Sequence, residues 1–151
     1  MTASAHLKKH TFRMTIASEP ENIHRVETFL RKVKKAERLS NEKYHRLLVV
    51  VTEAVNNSIT HGNKRNPAHK VHVVCTTQKG VLTVKVRDEG EGFDPRALPD
   101  PLHPENLLRE SGRGVFLMKQ MMDSVSYNET GNEVTMTLRM RNEREDERTR
   151  R

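Results

Sequence analysis

The sequence predicts an α+β two-layer sandwich, with one mixed, mostly antiparallel sheet and its helices on a single face. Three observations lead there. Segments of period 2 and period 3.6 follow the order strand, helix, helix, strand, strand, long loop, helix, strand, strand. Gln78-Lys79-Gly80 and Thr130-Gly131-Asn132 supply turns inside the two strand pairs. The long second helix carries an apolar stripe (Leu47, Val51, Ala54, Val55, Ser58, Ile59) that one sheet face can bury.

Residues 10–17 alternate, with Phe12, Met14 and Ile16 on one side, and form the first strand. Ser18 is placed to cap the first helix and Pro20 sits in its opening turn. Ile23, Val26, Phe29, Leu30 and Val33 keep helical spacing to about Ala36. Ser40 caps the second helix, which Gly62 is positioned to stop. Residues 71–77 and 81–87 make a β-hairpin. Residues 94–109 contain Pro95, Pro99, Pro101 and Pro104 without periodicity, so they are a loop, and at that length inside a compact domain a lid. A short apolar helix over 114–122 and strands over 124–128 and 133–141 complete the pattern. The expected organisation is a flexible N-terminus over 1–9, one domain over 10–141 and a charged, disordered tail over 142–151.

Composition narrows the function classes. With 151 residues and 34% hydrophobic content, one core can form with little to spare. No apolar run approaches the ~20 residues needed to span a bilayer, and the N-terminus lacks a signal-type stretch, so a cytoplasmic protein without membrane contact is expected. The lone Cys75 lies in a strand as a small apolar residue. His69, His72 and Cys75 are three apart, so on a strand they alternate between faces and cannot converge on one ion. The net charge is +7, but the basic tail is interleaved with Glu143, Glu145, Asp146 and Glu147, and aromatic residues are 4% of the chain. That composition argues against direct nucleic-acid binding. The basic cluster at Arg31, Lys32, Lys34, Lys35 and Arg38 is a solvated face suited to an acidic partner protein.

The chemistry concentrates in three segments: Glu53 to Gly62, Asp88-Glu89-Gly90-Glu91-Gly92, and Ser111-Gly112-Arg113-Gly114. At ~100° per residue, Glu53, Asn57 and Thr60 share a polar helix stripe with His61 at its edge. Asn57 can offer a carboxamide oxygen to Mg²⁺, and Glu53, one turn earlier, can accept a proton from an attacking hydroxyl. Asp88 ends a strand and can accept a hydrogen bond, while Gly90 and Gly92 let backbone approach a base and ribose. Gly112 and Gly114 open a helix whose N–H groups are ready donors to phosphate. Arg113 between them can be a surface cation, a phosphate ligand or a partner contact.

Glu53-x-x-x-Asn57-x-x-x-His61-Gly62, Asp88-x-Gly90-x-Gly92-Phe93-Asp94-Pro95 and Gly112-Arg113-Gly114 together resemble the Asn box and glycine boxes of the GHKL ATPases, which have the Bergerat (histidine-kinase-like ATPase) fold. Within them the chain is similar to the bacterial anti-sigma factor serine/threonine kinases, over about residues 12–140. The resemblance implies ATP and Mg²⁺ as cofactors, with Glu53 as the catalytic base and Asn57 on the metal. It places Asp88 on the adenine amino group and Gly90, Gly92, Gly112, Arg113, Gly114 and Val115 around the nucleotide. His61 is expected to support the loop after the helix. A homodimer is implied that holds a sigma factor inactive and phosphorylates a serine on a STAS-type anti-sigma antagonist. The alternative is an ATP-binding regulatory module that sequesters a partner without phosphotransfer.

Overall fold

The computed structural model describes residues 8–92 and 110–141. The expectations for the extreme N-terminus, the lid and the tail lie outside these residues.

The sheet has five strands in the order β1-β2-β3-β5-β4. They are β1 (His10–Ala17), β2 (Lys70–Gln78), β3 (Val81–Arg87), β4 (Ser124–Tyr127) and β5 (Glu133–Arg139). Every neighbouring pair is antiparallel, so the sheet is simpler than the mixed one expected. Register explains its two faces. Ile16 sits opposite Val71, Cys75 opposite Val84, and Val84 opposite Met136, which gives a continuous apolar surface. On the other face Arg13 lies opposite Val74, which is followed by Lys85 and Thr135, and that face stays largely polar.

The apolar surface shares one core with α1 (Ile23–Glu37), α2 (Asn41–Asn57) and α3 (Glu110–Met121). Val26, Leu30 and Val33 enter it from α1, and Leu47, Val50, Val51, Ala54 and Val55 from α2. Among the described residues of α3, Met118 is buried in the core and Met121 packs against it. The α1 and α2 sets recur at three- and four-residue spacing, so one stripe of each of these helices is buried.

Element ends depart from expectation in instructive places. Ser18 caps nothing: Pro20–Asn22 forms a 3₁₀ turn before α1 without a side-chain cap, and the Ser18 hydroxyl donates to the His69 carbonyl at 2.6 Å. Ser40 is a cap, accepting from the Lys43 N–H at 3.1 Å. The α-helix ends at Asn57 and passes into a π-helical turn, Ser58–Gly62, closed by the Asn63 N–H on the Ser58 carbonyl at 2.7 Å. Gly62 therefore does not stop the helix through a left-handed backbone; the left-handed residues are Lys64 (φ 51°) and Arg65 (φ 57°). In the β2–β3 hairpin Lys79 (φ 53°) and Gly80 (φ 76°) are both left-handed, as a two-residue type I′ turn requires. The chain is helical from Glu110, four residues earlier than the sequence suggested, so Gly112 and Gly114 lie inside α3 instead of opening it.

Candidate functional site

Asp88 leaves the end of β3 and sits, 7% exposed, against the π-helical turn. One carboxylate oxygen, Oδ1, accepts from the Gly90 N–H at 2.8 Å, and the Ser58 side chain hydrogen-bonds the same group. Burial pushes its carboxyl above the ordinary range, while the Gly90 and Ser58 hydrogen bonds pull the other way. Two glycines allow this packing. A Cβ on Gly62 would overlap the Asp88 carboxylate, and one on Gly90 would overlap the Gly62 carbonyl oxygen. Gly62 is thus needed for close approach, not for helix termination. Gly92 has φ 78°, and a Cβ there would overlap the Thr130 carbonyl, so it pins the loop to the β4–β5 turn.

Glu53 and Asn57 occupy the polar stripe of α2, both partly buried. The structure brings Gly114 of α3 against them: a Cβ there would overlap Glu53 Oε1 and lie 3.2 Å from Asn57 Nδ2. Val115 follows, nearly buried at 9% exposure. Gly112 and Arg113 share the helix, and their side-chain surroundings lie outside the described residues.

Two residues that sequence reasoning missed belong to this region. Burial first, and then the negative charge of Glu53, push the Tyr127 phenol up to about 12, which places the ring of β4 in the field of Glu53. A half-buried tyrosine near a strand end gave no signal in the sequence. The second is Asn63, 2% exposed, whose amide donates to Ser18 Oγ at 2.8 Å and to the Lys70 carbonyl at 2.9 Å and whose oxygen accepts from the Glu89 N–H at 2.8 Å. His61 is exposed, and the loop after the helix is held by Asn63. An asparagine directly after His-Gly was the available clue.

The residues fit a magnesium nucleotide. Asp88 is a largely buried acceptor with one oxygen anchored, which suits a neutral amino donor, and the glycines at 62 and 90 let the backbone close around it. Glu53 and Asn57 offer only hard oxygen and amide groups, a set suited to Mg²⁺ and not to soft metals.

The family model described as a histidine kinase-like ATPase domain matches residues 16–138. The chain belongs to this family. It is 41% identical over 98 residues to the anti-sigma F factor of Oceanobacillus iheyensis, covering 60% of this chain and 66% of that protein. It is 29% identical over 121 residues to the serine-protein kinase RsbW of the same organism, covering 76% and 77%. To the anti-sigma F factor of Bacillus subtilis it is 38% identical over 95 residues, covering 60% and 63%. The chain thus spans about two thirds of the length of the curated relatives it matches. A crystal structure of the RsbU and RsbW domains of a Mycobacterium tuberculosis protein superposes with a TM-score of 0.61 at 14% identity, covering 85% of this chain and 31% of that one, a likeness of fold. Among the described residues no helix is long and apolar enough to cross a membrane.

Proposed function

We propose that this protein is an ATP-dependent serine-protein kinase and anti-sigma factor. It sequesters a sigma factor, and phosphorylation of a serine on a STAS-type antagonist sets which partner is held. The observation that carries the reading is the meeting of Glu53, Asn57 and the Gly114 backbone in a chain of this family. The names of its relatives, anti-sigma F factor and serine-protein kinase RsbW, support both halves.

Magnesium ATP supplies, when bound, a transferable γ-phosphoryl group. Asn57 would hold the metal through its carboxamide oxygen, and Asp88 would accept from the adenine amino group. Gly90 and Gly92 let the loop after β3 close against the Gly62 carbonyl and the β4–β5 turn, beside the base and ribose, while Gly112, Arg113, Gly114 and Val115 would flank the phosphates. Glu53, one helical turn before Asn57, takes the proton of the attacking serine hydroxyl. The glycine at 114 lets the α3 backbone lie directly against the Glu53 carboxylate. We further propose that the protein works as a homodimer in the cytoplasm.

The test is incubation with Mg²⁺, γ-labelled ATP and candidate antagonist domains, with label read on the antagonist's serine. Label is expected with at least one antagonist and none on a Ser→Ala antagonist. ATP binding with no label on any antagonist would leave the sequestering module without phosphotransfer.

A further inference from the structure

Asn63 uses its whole carboxamide. Both Nδ2 protons and Oδ1 are engaged, on Ser18 Oγ, the Lys70 carbonyl and the Glu89 N–H, at 2.8, 2.9 and 2.8 Å. Its backbone N–H closes the π-helical turn on the Ser58 carbonyl. Ser18 in turn donates to the His69 carbonyl at 2.6 Å, and the Lys70 N–H is taken by the Glu89 carboxylate. The residue therefore joins three segments that are distant in sequence: the start of the first helical region, the start of β2 and the loop that follows β3.

Asp88 lies between the parts so joined. On one side are Ser58, which hydrogen-bonds its carboxylate, and Gly62, which packs under it. On the other are Glu89, whose N–H Asn63 holds, and Gly90, whose N–H anchors Oδ1. Hydrogen bonds weaken steeply with misalignment, so a carboxylate that must meet one particular amino group needs both sides fixed. Glu53 and Asn57 lie on the α2 stripe that faces Gly114 of α3.

We propose that Asn63 is a positioning residue for base recognition: by locking the helix end to the loop after β3 it aims Asp88 and sets selectivity for the exocyclic amino group of adenine. This rests on the nucleotide reading given above. A purely architectural asparagine would weaken every nucleotide alike, whereas an aiming residue affects only the contact that Asp88 makes.

The experiment titrates the full chain calorimetrically, with Mg²⁺, against ADP and against purine riboside diphosphate, which lacks the amino group. Wild type is expected to prefer ADP by about 10- to 100-fold, the range for a hydrogen bond to a charged acceptor. In Asn63→Ala the preference is expected to fall below about threefold while affinity for the analogue changes by less than about threefold. Equal weakening of both ligands, or an unchanged preference, overturns the inference. Equal wild-type affinity for both ligands overturns it and leaves the kinase reading standing; no wild-type affinity for either overturns both. Should Asn63→Ala not fold, Ser18→Ala decides, since it removes one partner of the same amide. Its preference for ADP is expected to drop about threefold, and an unmoved ratio overturns the inference.

Discussion

At the Asp88 end of the site backbone meets backbone: Gly90 lies against the Gly62 carbonyl, and Asn63 bonds helix end, β2 and loop together. At the Glu53 end the backbone of α3 at Gly114 meets the tip of a flexible side chain. The first contact cannot give without moving the main chain, whereas the second can be relieved by rotating a glutamate. The end proposed to recognise the base is therefore prearranged by the fold, while the end proposed for phosphoryl chemistry depends on how one helix docks.

The largest expected effect falls at the adjustable end. Glu53→Ala should lower phosphotransfer by about 10²- to 10⁴-fold, the usual contribution of a positioned base, with ADP affinity within about threefold of wild type. Initial rates with labelled ATP and parallel calorimetry check it, and a variant that keeps its rate would remove Glu53 from catalysis. Next comes the rigid end. A methyl group on Gly90 has only main chain to push against, so Gly90→Ala should destabilise the fold by about 1–3 kcal/mol and weaken ADP binding more than tenfold. Urea unfolding and calorimetry give both numbers.

Gly114→Ala sharpens the contrast, because the same added methyl meets a side chain that can swing away. Stability should change by less than about 1 kcal/mol while the phosphotransfer rate falls, since Glu53 is displaced. A stability loss matching that of Gly90→Ala would mean that both ends are equally rigid. The smallest effect concerns charge. Burial raises the Asp88 carboxyl above its ordinary value of 3.8, so the folded state holds that proton more tightly than the unfolded chain. The ionised group consequently opposes folding at neutral pH, and that penalty is relieved as pH falls through the raised value. Asp88→Asn should therefore melt slightly higher than wild type at pH 7, with the difference shrinking toward pH 4, at the expense of nucleotide affinity. Melting curves across that range are the check.

Much of this was legible in the chain. β1 and β3 begin and end where alternation begins and ends, because one apolar and one polar face force a period of 2. The apolar stripe of α2 is buried at Leu47, Val51, Ala54 and Val55, and continues to Ile59 in the turn that follows, for the corresponding reason at period 3.6. Ser40 acts as a cap because capping is local chemistry, three residues from donor to acceptor. Ser18 has the same residue type in a similar place and does not cap, because His69, 51 positions away, offers a buried acceptor that a local helix end could not outbid. Gly62 looked like a helix stop because glycine most often serves as one; its true constraint is the Asp88 carboxylate, 26 positions later.

Periodicity and capping, both short-range properties of the backbone and its side chains, determined by themselves the strand and helix order and the stripe bearing Glu53 and Asn57, and the three motifs carried the resemblance to the family. Only the folded chain decided which glycines face which carboxylates, that Asn63 ties three segments together, and that Tyr127 lies in the field of Glu53. Those facts depend on steric exclusion and on the pairing of buried polar groups between segments far apart in sequence. A linear pattern carries no record of such contacts until the sheet has brought its strands into register.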